Sequence, residues 1–265
     1  MHLAILSSGS GWHVTDVQRA CLARGFSSSV VDFRQLAAWV GREGVETTEK
    51  FDAILVRTMP PGSLEQVVFR MDLLHMAQEQ GVLVFNSPRC LESAIDKYLT
   101  TARLSHVGLP VPSTFACQTA EKAMEAFGQL GKDVIVKPLF GSEGRGMVRI
   151  SDMELAWRTF RTLERTGAVL YLQQMIRHPG WDLRLFVIGG KVQAAMKRHA
   201  NNDWRTNVAQ GGRGECFLPE GETTQLALKA AEVLGADAAG IDLIQGPGGE
   251  WYILEINAVP GWRAL

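Results

Sequence analysis

Residues 240–261 read GIDLIQGPGGEWYILEINAVPG, two apolar runs on either side of Gly246-Pro247-Gly248-Gly249. That pattern predicts a β-hairpin. With Gln245 and Glu250 closing the turn, Asp242 lies opposite Ile253. The two-residue period of a strand then puts Asp242, Glu255 and Asn257 on one face. Ile241, Leu243, Tyr252, Leu254 and Ile256 take the other face, the core. Diagonal neighbours on paired strands are about 7–8 Å apart, so two carboxylates and an amide here are within reach of one shared cation. Hard oxygen donors suit Mg²⁺, which uses one or two carboxylates and completes its shell with water and substrate phosphates. The hairpin is a candidate magnesium–nucleotide site; taken alone, a solvated sheet face explains it equally well.

The bulk of the chain narrows the classes. At 265 residues it is long enough to bury a substantial core and to divide into two or three lobes. A formal net charge of -1 gives no electrostatic footprint for nucleic acid or an anionic membrane. Cys21, Cys90, Cys117 and Cys216 are scattered without a C-x-x-C pair, which argues against a disulfide framework or a thiolate zinc site. Residues 1–6 lack the basic start and longer apolar stretch of a signal peptide, and no run approaches a membrane span. A cytoplasmic protein is expected.

Outward from the hairpin, the start of the chain reads strand (3–6), tight turn (7–11), helix (15–24) and strand (29–33). Gly9 and Gly11 invite comparison with a dinucleotide-binding turn, but the third glycine of G-x-G-x-x-G would fall at Val14, so a turn of small residues fits better. A strand over 53–56 ends at Arg57. Because ligands of open parallel sheets gather outside the carboxyl ends of strands, Trp12, His13 and Arg57 are expected to share a crevice, where Arg57 would clamp a carboxylate. Asp96 caps a helix running to Val107, with Lys97 in its first turn, where the helix dipole disfavours a cation unless an anion compensates. Further on, Val134-Ile-Val-Lys137, the loop Gly141-Ser-Glu-Gly-Arg-Gly146 and Met147-Val-Arg-Ile150 give strand, glycine-rich loop and strand, without the G-K-[ST] ending of a Walker A loop. Such glycines permit successive backbone N–H groups to turn toward phosphate oxygens. Residues 181–188 and 191–197 form a second hairpin around Gly189-Gly190, and the segment 198–207 reads as a polar loop dense in phosphate-binding donors. His178 and His199 are expected to be solvated loop histidines.

The joint order of six motifs resembles the ATP-grasp superfamily and, within it, the RimK-like α-L-glutamate ligases. These are Asp96-Lys97; Val136-Lys137 with GSEGRGM; Leu172-Gln-Gln-Met-Ile176; Asp182-Leu-Arg184; Trp204-Arg-Thr-Asn207; and Gly240-Ile-Asp242 with Glu255-Ile-Asn257. The resemblance implies an α/β ATP-grasp fold with an N-terminal Rossmann-like domain. Its expected divisions are residues 1–88, a central lobe with the flap over 89–172, and a C-terminal lobe over 173–265. It implies that Lys97 and Lys137 contact ATP phosphates, that Gly141, Ser142, Gly144 and Gly146 close over them, and that Gln174, Met175 and Ile176 face adenine. Asp182 would take the ribose, and Arg205, Thr206 and Asn207 the phosphates or an acyl phosphate. Arg184, Arg205 and Asn207 carry catalysis in this assignment. Asp242, Glu255 and Asn257 would hold Mg²⁺ or Mn²⁺, with Glu255 bridging two ions. Gln173-Gln174 stands where the family often has Gln-Glu, and the sequence stops at Leu265, where a further helix is expected.

The implied activity is ATP-dependent addition of L-glutamate to a carboxylate-bearing acceptor, small molecule or peptide, through an acyl phosphate. Residues 57–65 and 260–264 look most like ligases acting on a pterin cofactor such as tetrahydromethanopterin, with Trp12 able to stack the ring. In-class alternatives are a ribosomal protein tail or an amino-group carrier protein as acceptor. A non-catalytic ATP-binding regulator and a nicotinamide-dependent oxidoreductase are the readings from other classes. A homo-oligomer is compatible with all of them.

Overall fold

The computed structural model describes residues 1–41, the backbone of 44–47, and residues 51–141, 144–201, 203–206 and 212–263. In chain order the first lobe contains β1 (His2–Leu6), α1 (Trp12–Ala23), β2 (Ser27–Val31), a small hairpin of β3 (Ala38–Gly41) and β4 (Gly44–Thr47), β5 (Ala53–Val56), α2 (Leu64–Glu79) and β6 (Leu83–Phe85). Its sheet has the order β2-β1-β5-β6 and is parallel throughout. The continuous apolar run of β1 follows from burial on both faces. Leu3 and Ile5 pack against Val14 and Cys21 of α1, while Ala4 and Leu6 enter the large core on the opposite side. Ser63 starts α2 with a reciprocal capping box to Gln66.

Two helices follow, α3 (Pro88–Ile95) and α4 (Lys97–His106), the latter capped as expected by Asp96, whose carboxylate accepts from Leu99 N at 2.9 Å. The central lobe is β7 (Thr114–Cys117), α5 (Ala120–Gln129), β8 (Val134–Lys137), β9 (Val148–Ile150), α6 (Met153–Arg165) and β10 (Leu170–Gln174). Its antiparallel sheet has the order β7-β10-β8-β9. Val134, Val136, Leu170 and Leu172 face α5 and α6, in a core of their own with Phe127 and Phe160. The alternate residues of β8 and β10 face the other way.

The C-terminal lobe is β11 (Trp181–Ile188), β12 (Lys191–His199), β13 (Arg213–Cys216), α7 (Gly221–Leu234), β14 (Ala238–Gln245) and β15 (Trp251–Asn257), with sheet order β13-β12-β11-β14-β15. Leu183, Leu185, Val187, Ile241 and Leu243 pack on α7 and share one continuous core with Ala4, Leu6, Val31 and Phe33 of the first lobe. Asn86 fastens the two: its Nδ2 donates to the carbonyls of Ala238 and Ala258 at 2.7 Å each, and its Oδ1 accepts from Ala238 N at 2.9 Å. Helices α3 and α4 pack on α7 and β15. They therefore join the C-terminal sheet and not the central lobe in which the 89–172 division placed them, because their apolar faces meet α7. Among the described residues, no helix is long and apolar enough to cross a membrane.

The deciding hairpin is present, with one change of register. Gln245 pairs with Trp251, Leu243 with Ile253, and then a bulge at Leu254 sets Asp242 directly opposite Glu255. The extra residue reverses the faces on one side of it. Ile253 and Ile256 are buried in the core at 1% and 0% exposure, while Leu254, expected in the core, turns to the opposite face with Glu255. A second correction concerns Arg198 and His199, which belong to β12 and not to a loop.

Candidate active site

The outward faces of the central and C-terminal sheets oppose one another across a cleft of ≈ 780 Å³ open to solvent. From β8, Lys137 enters it, 9% exposed, and donates from Nζ to Gln173 Oε1 at 2.6 Å. Gln173 in turn donates to Thr114 Oγ1 at 3.1 Å and the Tyr171 hydroxyl at 3.3 Å. Burial pulls the Lys137 ammonium down to about 8; Glu255 opposes that shift, Lys97 adds to it and Asp242 opposes it. Gln173 thus acts as the positioning partner of a lysine. Lys97, in the first turn of α4, donates to the Gly141 carbonyl at 2.6 Å and lies 3.9 Å from Glu255. Those two oxygens answer the unfavourable helix dipole at that position.

Opposite stands a strip of alternating charge. Cross-strand register puts Asp182 against Arg198 and Arg184 against Asp242. Arg198 Nε donates to Asp182 at 2.7 Å and its Nη2 lies 2.9 Å from Asp242; Arg184 grips Asp242 bidentately at 2.7 and 2.8 Å. Asp182, Arg198 and Asp242 are only 2–3% exposed. Burial opposes every charge here, but the partners prevail: Arg184 and Arg198 hold the Asp242 carboxyl below its usual range, and Asp242 and Asp182 raise Arg198. Neighbouring charges within ion-pair distance outweigh desolvation only because each is multiply hydrogen bonded.

The rim completes the cleft. Gly141 and Gly144 of the flap line one side, and Gln174, Met175 and Ile176 the far end. Gly146 has φ +72, and a Cβ there would sit 2.9 Å from Pro138 Cγ, so only glycine turns the flap at that point. Thr206 is 6% exposed, and Arg205 is held to Asp203 at 2.6 Å. His178 also lines the cleft: its Nε2 meets the Trp204 carbonyl at 3.0 Å, and its Nδ1 is buried without a partner. It is no solvated loop histidine. His199, half-buried on β12, meets Glu215 at 2.8 Å and is likewise held.

Twelve of the residues singled out in the sequence line this one cleft: Lys97, Lys137, Gly141, Gly144, Gln174, Met175, Ile176, Asp182, Arg205, Thr206, Asp242 and Glu255. Gly146 and Arg184 stand just behind it as supports. Asn257 lies opposite Gly240, and its Oδ1 accepts from Val259 N at 2.9 Å. Ser142 and Asn207 lie outside the described residues. Asp182 is committed to Arg198, which leaves a ribose hydroxyl its residual lone pairs and little access. Arg198 itself is not among the residues expected to be catalytic, although counting outward from the Gly189-Gly190 turn places Lys197 opposite Asp182 without a bulge and Arg198 with one. Among the described residues, no group of three or more His, Cys, Asp or Glu is arranged for a metal. Glu255, opposite Asp242 and the more exposed of the two, is the carboxylate open to a cation that takes most of its ligands from phosphates and water, whereas both oxygens of Asp242 are engaged by Arg184 and Arg198.

Trp12 and Arg57 meet elsewhere, at the carboxyl ends of β1 and β5, where the strand order reverses. The segment after β15 crosses over them. Arg57 is 9% exposed, donates from Nη1 to the Pro260 carbonyl at 2.9 Å, and lies 4.6 Å from the ring centre of Trp262. Burial lowers its pKa to about 10.

Residues 94–265 match the RimK-like ATP-grasp domain, and residues 11–92 the N-terminal domain of prokaryotic glutathione synthetase. The chain belongs to the RimK-like ATP-grasp family. This RimK-like protein is similar to the tetrahydromethanopterin:α-L-glutamate ligase of Methanosarcina acetivorans, 34% identical over 96% of this chain and 90% of the relative. It is also similar to the α-aminoadipate–LysW ligase LysX of Saccharolobus solfataricus, 29% identical over 71% of this chain and 70% of that one. Its fold matches the ATP-grasp ligase PsnB solved with minimal precursor, Mg and ADP, with TM-score 0.76, 22% identity, and coverage of 99% of this chain and 90% of that chain. A RimK-like ATP-grasp protein is an ATP-dependent ligase that forms C–N bonds, with Mg²⁺ accompanying the nucleotide.

Proposed function

We propose that this ligase joins L-glutamate to a carboxylate-bearing acceptor of the pterin class, of which tetrahydromethanopterin is the model. The observation that carries the nucleotide half is the convergence of Lys137, Arg198, Asp242 and Glu255 from two different sheets, and of Lys97 from helix α4, on one cleft. The acceptor half rests on likeness to the Methanosarcina enzyme along nearly the whole chain.

The chemistry follows from the residues. The acceptor carboxylate oxygen attacks the γ-phosphorus, the bond to the β-phosphate oxygen breaks, and ADP leaves behind an acyl phosphate. Lys137 and Lys97 hold the phosphates, and Arg198 and Arg205 face the charge that develops as the bond transfers; positioning and charge stabilisation are what such a transfer requires. The glutamate amine then attacks the acyl carbon, phosphate departs, and the amine gives up its proton. Mg²⁺, when bound, would neutralise phosphate charge; Glu255, the more exposed carboxylate, and Asn257 would hold it, and Asp242 would join by yielding part of its hold on Arg184 and Arg198, the set serving two ions. Ile135, Met175, Ile244 and Leu254 supply an apolar lining suited to the base. The free thiols of Cys21, Cys90, Cys117 and Cys216 accord with a cytoplasmic enzyme.

ADP release measured with a pterin acceptor, a peptide ending in glutamate and a carrier-protein tail, each with and without L-glutamate, tests the proposal. Glutamate-dependent ADP formation greatest with the pterin is expected. Turnover only with a peptide or carrier tail would move the enzyme to the LysX-like branch, and none with glutamate would overturn the proposal.

A further inference from the structure

The crevice at the ends of β1 and β5 is a second built site, lined by residues other than those of the nucleotide cleft. Open parallel sheets bind ligands where the strand order reverses, here between β1 and β5. Four aromatic rings converge there. Trp12 meets His13 at 5.2 Å and Trp262 at 6.4 Å, and His13 meets Trp262 at 4.8 Å, all edge-to-face; Phe186 lies 6.3 Å from Trp262. The segment bearing Trp262 is fixed by three donors and acceptors: Arg57 holds the Pro260 carbonyl, His13 Nε2 accepts from Trp262 N at 3.1 Å, and Asp16 accepts from the indole Nε1 at 2.9 Å. These contacts leave Trp12 43% exposed, with the exposed Arg263 guanidinium 6.0 Å from its ring centre.

Charge in the crevice is unbalanced. Arg57 has no carboxylate partner among the described residues, and its buried Nε has no partner at all. The carboxylate in contact, Asp16, already takes Arg19 and Trp262. Arg57 is buried, with Nη1 on the Pro260 carbonyl and its face toward Trp262, so in place of a solvent-facing clamp it stands as a fixed positive charge behind the aromatic wall. Arg263 is the guanidinium that remains open to solvent. Pro260, the residue Arg57 holds, also touches the nucleotide side, lying against the open side of Gly240 within 3.3 Å of a Cβ position that is itself 3.6 Å from Arg184 Nε. The crevice and the charge strip are thus continuous.

We propose that Trp12 and Arg263 determine acceptor specificity, Trp12 stacking a planar heteroaromatic ring and Arg263 pairing with an anionic group on the same molecule. This rests on the ligase assignment above for its meaning, though not for its test. The ring quadrupole and the guanidinium select jointly: a molecule with only one of the two features loses half of the contact.

Calorimetry on the full chain tests it without turnover, with folate as a probe that carries both a pterin and carboxylates. Folate is expected to bind, while N-acetylglutamate, which lacks the ring, and 6-methylpterin, which lacks the carboxylate, bind at least about tenfold more weakly. Trp12→Ala and Arg263→Ala are each expected to weaken folate about tenfold and leave ATP affinity unchanged; both side chains are exposed, so the fold is kept. Absence of folate binding at ~1 mM, equal binding of the ringless probe, or unchanged folate affinity in both variants would overturn the proposal. Failure of the glutamate reaction in the ADP assay, with folate selectivity intact, would instead strike the function and spare the site.

Discussion

At the scale of the residue, Lys137 shows what a sequence displays and what it hides. Its place on a strand before a glycine-rich loop is legible in the order of residue types. Its depressed pKa is not, because burial and the charges of Glu255, Lys97 and Asp242 are set by the assembled cleft and not by neighbours in sequence. A lysine held at about 8 in the folded protein, against 10.5 unfolded, means that the unfolded chain binds more protons between those values, so this group's contribution to stability rises with pH across that window. ATP phosphates favour the charged form. Nucleotide binding at pH 8 is therefore expected to take up a fraction of a proton, read as a dependence of calorimetric heat on buffer ionisation enthalpy, and ATP affinity is expected to fall as pH rises through 8. Lys137→Met should abolish the proton uptake and weaken ATP by about tenfold or more. Unaltered uptake would assign the titration to another group. Glu255→Ala should cut kcat by at least about 10²-fold, the scale for losing a fixed electrostatic contact in a transition state, without lowering Tm. Little lost stability is expected because Glu255 is a third exposed and its one ion pair, to Lys97, is long at 3.9 Å.

Elements were legible where periodicity is strong and misplaced where packing inserts a residue. The hairpin of β14 and β15 was readable from its turn and its alternation, but bulges at Leu254 and between Phe186 and Val187 carry no signature in residue type. Hence Leu254 was assigned to the core and turned to the cleft. β3, β4, β7, β13, α3 and α5 are also unmarked by the sequence reading, the strands and α3 being short, and α5 only ten residues long although its apolar face is regular. The flap belongs to this scale too. Gly146→Ala imposes a left-handed backbone on an L-residue and presses a methyl group against Pro138. It is expected to cost about 1 kcal/mol or more in stability and to raise the ATP KM severalfold with a lower kcat, as lid closure is disturbed. Kinetics identical to the parent would place phosphate binding outside the flap.

For the whole molecule, the six motifs announced the family because they occur in one order along most of the chain, while the way the lobes share their interiors was invisible until they were assembled. Asn86 has no motif around it, yet three hydrogen bonds at 2.7, 2.7 and 2.9 Å make it the joint between the first sheet and the last. Asn86→Ala removes the side-chain partner of one buried carbonyl and of a part-buried carbonyl and N–H, and is expected to cost roughly 1–3 kcal/mol, measured by denaturant unfolding with an unchanged m-value. A loss below about 0.5 kcal/mol would show that water replaces the side chain at no penalty. The core shared by Ala4, Leu6 and Phe33 with Leu183, Val187 and Ile241 has a consequence for how such a chain is divided. Relatedness to other proteins breaks it near residue 93, between two separately recognised segments. A fragment beginning there would carry one wall of an interior whose other wall has been left behind, and should aggregate when expressed. The interior that stays whole is instead the middle one, built of residues between Ala120 and Leu172: the seam of inheritance and the seam of packing fall at different places along the same chain.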